Sequence, residues 1–206
     1  MIIKILPVGQ LGTNCYVVSD EYTRECVIID PGAESNKILN YVSANGLTVS
    51  AIFLTHAHFD HTMALTEVFE KTGAPVYVNE NESRTGGARE QARLKTVSCL
   101  RNYTEGDEIT VGSLKFEVLL TPGHTMGSVV LKCGNALFTG DTLFAGSCGR
   151  TDLGGDMDMM EESLRRLSKL EGDFEVYPGH AETTTLDQER KYNYYMLHAN
   201  SRFPGQ

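Results

Sequence analysis

Short apolar runs alternate with polar stretches along most of this chain. Ile2–Leu6, Cys15–Ser19 and Cys26–Ile29 read as strands. Residues Ser35 to Ala44 place Ile38, Leu39 and Val42 at helical spacing, and Asn45-Gly46 supplies a stop. The strand Ala51–Leu54 leads into a helix from Thr62 to Lys71, closed by Gly73, and then into the strand-like PVYVN. Residues 80–102 interrupt the rhythm. They are polar and irregular, with Arg84, Arg89, Arg93, Lys95 and Arg101 among acidic neighbours, and read as a solvated loop that could rim a site. In the second half LKFEVLL, SVVLKC, ALF and FEVY predict strands. Met160, Leu164 and Leu167 mark one face of a helix between Met157 and Leu170, and Thr185 to Gln188 form a capping box that opens a last helix. Short strands mixed with amphipathic helices predict sheets covered by helices.

The polar residues at the ends of these runs form a second pattern. CVIID ends in Asp30, AIFLTHAHFDH in a histidine cluster, FEVLLTPGH in His124, ALFTGD in Asp141 and FEVYPGH in His180. Loops beyond strand ends carry the sites of α/β folds. If these strands lie side by side, their ends converge. Of the six histidines, only His198 lies outside these loops.

Composition narrows the function classes. A formal charge of −9 argues against a phosphate-backbone grip, so no nucleic-acid partner is expected. The apolar runs are too short to span a bilayer, and the N-terminus lacks the basic and apolar regions of a signal peptide, so no membrane partner is expected. Five scattered cysteines without a C-x-x-C pair indicate neither a thiolate metal site nor a disulfide framework; reduced thiols in the cytoplasm are the simplest reading.

Imidazole and carboxylate suit zinc, iron, nickel or manganese. In an extended segment His56 and His58 point to the same side and can grip one ion. Asp60 and His61 lie where the chain turns into a helix and can face a second point nearby. His124 and His180 are available to complete each set, and Asp141 could bridge. Three protein ligands per ion leave an open position, as a catalytic site requires and a structural zinc site does not.

The motifs HAHFDH, TPGH, TGD and PGH, in that order, resemble the metallo-β-lactamase superfamily over nearly the whole chain. FTGDTLFAGSCGRTDLGGD and YPGHAETTT look most like its glyoxalase II-like, hydroxyacylglutathione hydrolase-like branch. The resemblance implies an α/β (α+β) fold, an αββα sandwich of two mixed sheets flanked by helices. It would form a single domain over residues 1–206, without the C-terminal helical domain of longer glyoxalase II enzymes. It implies that His56, His58 and His124 hold one metal, that Asp60, His61 and His180 hold the other, and that Asp141 bridges. The implied cofactors are two divalent transition-metal ions, zinc first and iron or a mixed pair next.

The implied activity is hydrolysis of an anionic acyl thioester of the S-2-hydroxyacylglutathione type by a metal-bound hydroxide, with Asp60 also orienting the nucleophile. Arg150 matches a basic position that meets the substrate's anionic tail, its structural alternative being an ion pair with Asp152 or Asp156. Asp30 reads as a carboxylate behind a metal-bound histidine, or as a turn residue before Pro31-Gly32. Persulfide dioxygenases, which hold a single iron through two histidines and a carboxylate, also resemble the sequence, and a lactonase would share the centre.

Overall fold

The computed structural model describes residues 1–85 and 87–202. Its first sheet contains β1 (Ile2–Val8), β2 (Thr13–Ser19), β3 (Glu25–Ile29), β4 (Thr48–Phe53), β5 (Val76–Asn79) and β6 (Leu100–Tyr103), in that spatial order. The pairs from β1 to β3 are antiparallel and those from β3 to β6 parallel. The second sheet is built from β7 (Glu108–Val111), β8 (Leu114–Leu120), β9 (Val129–Cys133) and β10 (Ala136–Gly140), followed, after the two-stranded ribbon β11 (Leu143–Phe144) and β12 (Ser147–Cys148), by β13 (Glu175–Pro178) and β14 (Thr184–Thr185). Its order is β14-β13-β10-β9-β8-β7, and only β10 and β13 pair in parallel.

The strands are apolar on both faces because both faces are covered. Val18, Val27, Ile29 and Phe53 of the first sheet meet Phe116, Val118, Leu131 and Phe138 of the second. Val17, Ile28 and Ile52 face the other way. They pack under Ile38 and Val42 of α1 (Ser35–Ala44) and, beyond the single turn α2 (Phe59–Thr62), under Leu65 and Val68 of α3 (Leu65–Thr72). Two further helices, α4 (Glu80–Thr85) and α5 (Ala88–Leu94), precede β6. Leu119, Val130, Leu137 and Val176 pack under α6 (Met157–Ser168), α7 (Leu186–Tyr192) and α8 (Tyr194–Arg202). The layers are therefore αββα, as the resemblance implies. Among the described residues no helix is long and apolar enough to cross a membrane.

Two stretches differ from the sequence reading. The helix expected from Thr62 to Lys71 is two pieces, because the Ala64 N–H leaves the helical pattern and donates to the Pro31 carbonyl at 3.0 Å. Residues 80–102 are not a plain solvated loop: they carry α4, α5 and the start of β6. Their polar composition conceals one buried residue, Glu82, which is 2% exposed.

Glu82 braces two loops at the carboxyl edge of the sandwich. One carboxylate oxygen accepts from the Ala57 N–H at 2.7 Å; the other accepts from the Thr125 hydroxyl at 2.6 Å and the Gly127 N–H at 2.9 Å. Burial raises its pKa, and these three donors oppose the rise. A second brace joins the β1–β2 hairpin to the end of β13. The Asn14 side chain donates to the carbonyls of Pro178 and Ala181 at 3.0 and 2.9 Å, and the Tyr16 hydroxyl donates to Pro178 at 2.5 Å. Glu82→Leu strands the Ala57 and Gly127 N–H groups without an acceptor and leaves the Thr125 hydroxyl only Ser128. It should cost on the order of 3 kcal/mol in urea unfolding, with Glu82→Gln falling between it and the parent; a loss under about 1 kcal/mol would show that the brace carries no weight.

Candidate metal centre

The segment after β4 is extended through His58, and α2 starts at Phe59. His56 and His58 therefore project together, while the helical turn swings Asp60 and His61 to a second position. The structure brings all seven sequence-predicted histidine and aspartate donors into one cluster at the carboxyl ends of β4, β8, β10 and β13. His56, His58 and His124 form one group and Asp60, His61 and His180 another, each with its potential ligand atoms within 4.8 Å of one another; Asp30, His56 and His61 form a third, overlapping group. His58 Nδ1 lies 2.8 Å from His124 Nε2, and His180 Nε2 lies 3.2 Å from Asp60 Oδ2. Asp141 stands between the first two groups: Oδ1 is 3.3 Å from His61 Nε2 and Oδ2 is 3.4 Å from His124 Nε2.

Outer hydrogen bonds decide which ring atoms face inward. The Thr55 hydroxyl donates to Asp30 Oδ2 at 2.6 Å, so at 3.1 Å it can only accept from His56 Nδ1. His61 Nδ1 donates to Asp30 Oδ2 at 3.0 Å, His124 Nδ1 to the Arg150 carbonyl at 2.6 Å, and His180 Nδ1 to the Leu11 carbonyl at 3.3 Å. Four imidazoles thus use their Nδ1 proton on an outside partner and turn Nε2 inward, those of His61, His124 and His180 toward carboxylate oxygens. His56 Nε2 and Asp141 Oδ1 are buried there with no hydrogen-bond partner among the described residues. A buried set of lone pairs with nothing to accept from suits a cation, and this donor chemistry fits divalent transition ions.

The electrostatics divide along the same line. Burial, reinforced by neighbouring imidazoles, lowers the pKa of His56 and His58; burial also lowers that of His124, where Asp141 opposes it. Burial works the same way on His61 and His180, but the carboxylates win. Asp141 and Asp30 raise His61 well above the ordinary value, and Asp60 and Asp141 raise His180. In return, against their own burial, Asp60 is lowered by His180 and His61, and Asp141 chiefly by His61. The raised pKa of His61 reflects the carboxylate charge gathered around it.

Two glycines of the motifs are required by space. A Cβ on Gly179 would stand 2.2 Å from Asp141 Oδ1 and 2.8 Å from His61 Cε1; one on Gly149 would stand 1.8 Å from the Asp141 carbonyl oxygen and 3.1 Å from His124 Nδ1. Asp30 occupies left-handed backbone, φ 51, at the end of β3, where its carboxylate takes the Thr55 N–H at 2.8 Å together with the Thr55 hydroxyl and His61. It backs a histidine and also makes the turn. The Arg150 guanidinium is exposed and bidentate on Asp152, both contacts at 2.6 Å, while its carbonyl serves His124. Burial pushes the Cys148 thiol up to about 11, which disfavours the thiolate a nucleophile would need. His198 is elsewhere, 3.2 Å from Glu161.

Sequence reasoning missed four supporting residues: Thr13, whose hydroxyl donates to Asp60 Oδ2 at 3.1 Å, and Asn14, Thr55 and Glu82. Thr55 had a signal, its place directly before the first histidine. The other three act across the fold, and nothing local marks them.

The family profile of the metallo-beta-lactamase superfamily matches residues 8–180. The chain is similar to the probable metallo-hydrolase YqgX of Bacillus subtilis, with 39% identity over 91% of this chain and 94% of that protein. It is also similar to a hydroxyacylglutathione hydrolase of Idiomarina loihiensis, with 36% identity over 76% of this chain and 56% of that protein. Among solved structures, ETHE1 from Myxococcus xanthus superimposes with a TM-score of 0.82 at 34% identity, covering 100% of this chain and 93% of that one. TTHA1623, in a di-iron-bound form, superimposes with a TM-score of 0.81 at 37% identity, covering 93% and 99%. The matched profile, the αββα layers and the donor cluster at their edge agree: the chain belongs to the metallo-β-lactamase superfamily, as a metal-dependent enzyme.

Proposed function

We propose that this protein hydrolyses acyl thioesters, of the type of an S-2-hydroxyacylglutathione, at a centre of two divalent transition ions, zinc first and iron or a mixed pair next. The observation that carries this reading is the arrangement of two separate three-residue donor groups with the Asp141 carboxylate between them, within 3.4 Å of His124 in one and of His61 in the other. His56, His58 and His124 would hold one ion, Asp60, His61 and His180 the other, with Asp141 shared. The hydroxyacylglutathione hydrolase relative supports the substrate type, and the di-iron neighbour supports the ion count.

Ions in such a site lower the pKa of bound water to about 7 and polarise a carbonyl. The chain's own part is positioning. Asp60, kept ionised and tethered by Thr13, can accept a hydrogen bond from the attacking water and aim it. A thiol of pKa about 8.5 leaves as thiolate with little help from an acid. That suits this site: both oxygens of Glu82, the buried carboxyl with a raised pKa, are occupied by donors.

The likeness to ETHE1 favours a second reading, a mononuclear iron persulfide dioxygenase. Oxygen uptake on glutathione persulfide, set against thiol release from a thioester, separates the two.

Elemental analysis of purified protein should find two first-row transition ions per chain, and Asp141→Ala should empty both positions. One tightly held iron, with no second site on titration, would sink the dinuclear reading.

Acid should release the metal. A ligand histidine must be neutral, and the carboxylates give His61 a proton at higher pH than an ordinary imidazole. Apparent affinity should therefore fall as pH drops, beginning above about 6.5 and approaching tenfold per pH unit for this one proton. Chelator competition between pH 5 and 8 reads this out, and a flat profile would remove His61 from the ligand set.

The exposed Arg150–Asp152 pair is weak enough to open for an anionic tail. Arg150→Ala should raise KM about three- to tenfold while kcat changes less than about twofold. An unchanged KM would leave the guanidinium with its ion pair only.

A further inference from the structure

Beside the centre, on the Asp60 side, lies a cleft of about 430 Å³. It is bounded by the β1–β2 turn and by α2 with the link to α3. Its rim carries three large apolar side chains that the fold leaves open to solvent: Leu11 at 59% exposed, Phe59 at 49% and Met63 at 55%. Val8 and Ala33 extend the same surface inward. The floor is closed at Gly32, where a Cβ would stand 1.9 Å from the Asp60 carbonyl oxygen. Asp60, a member of the donor cluster, and Thr13, which donates to it, also line this cleft, so the cleft adjoins the centre at Asp60.

Its chemistry is one-sided. Among the described residues no lysine or arginine lines it, and Asp60 is the one charged lining residue. A carboxylate or peptide-like tail would meet no cation here and would face a like charge. A hydrocarbon group would cover Leu11, Phe59 and Met63 and remove their surface from water. Arg150, by contrast, stands behind His124, in the donor group that does not contain Asp60. The two ends of the site therefore offer different company to the two ends of a thioester.

We infer that this cleft receives an unbranched hydrocarbon chain on the acyl group, so that among acyl thioesters those with an apolar, medium-length acyl chain are preferred over the shortest ones. This rests on the thioester reading above. The carbonyl sits at the centre, the alkyl chain runs from it along Asp60 between Leu11 and Met63, and the thiol carrier leaves on the Arg150 side.

The test uses metal-loaded protein and the straight-chain N-acetylcysteamine thioesters from acetyl to octanoyl. Transfer of each methylene from water to the cleft should raise kcat/KM about threefold up to roughly six carbons, then level. Met63→Asp and Leu11→Asp should flatten that slope, and Met63→Leu should keep it. Lengthening the alkyl group on the thiol instead should have little effect. In parallel, calorimetry with the matching ketones, in which a methylene replaces the thioester sulfur, should show affinity rising with acyl length. If no thioester is turned over at any length, the thioester reading fails, and the ketone series alone decides the cleft. A flat ketone series, or a rate that follows the thiol's alkyl group instead, overturns the inference.

Discussion

The structure turns on one electrostatic demand: bare imidazole nitrogens and carboxylate oxygens are buried face to face. Each outer contact contributes by removing an alternative. Thr55, Asp30 and the carbonyls of Arg150 and Leu11 take the ring protons of His56, His61, His124 and His180, so none of these protons is free to bridge the interior. What remains is a set of acceptors without donors, which water-excluding surroundings make costly and a cation makes favourable. The raised pKa of His61 reflects the same gathering of carboxylate charge.

That arrangement can exist only at a seam. No single strand could supply its members, because successive side chains of a strand point to opposite faces. They come instead from strand ends on both sheets, and the seam is held by bonds that cross it. Asn14 and Tyr16 of β2 grip the end of β13; Glu82 ties the His56–His58 segment to the loop carrying His124; the Val129 N–H meets the Thr55 carbonyl at 2.9 Å. Asp30 holds a conformation most residues avoid, and three hydrogen bonds to its carboxylate offset the strain.

The surroundings of the centre are as uneven as its two donor groups. On one side an exposed arginine rests on a neighbouring aspartate, and on the other three apolar side chains flank a cleft with no basic lining residue. Superfamily membership accounts for the donors between them. It does not choose among substrates, because one fold and one donor set serve many chemistries.

The alternation of apolar runs was enough to predict strands and covering helices, since the period of a buried face is written locally. The order of HAHFDH, TPGH, TGD and PGH was enough to nominate the seven donors, because a cluster of such residue types after successive strands is scarce by chance. Three things were not legible. The break between α2 and α3 depends on a carbonyl at Pro31, more than thirty positions from Ala64. The burial of Glu82 depends on Ala57, Thr125 and Gly127 closing around it, while its own neighbours in sequence are polar. The partner of the Arg150 guanidinium was left open between two aspartates, and folding chose Asp152 while giving the carbonyl of the same residue to His124. Local sequence thus determined which groups stand ready at the strand ends. Only the packing of the two sheets decided which atoms of those groups face one another, because hydrogen-bond direction and burial are properties of the neighbours that the fold brings in.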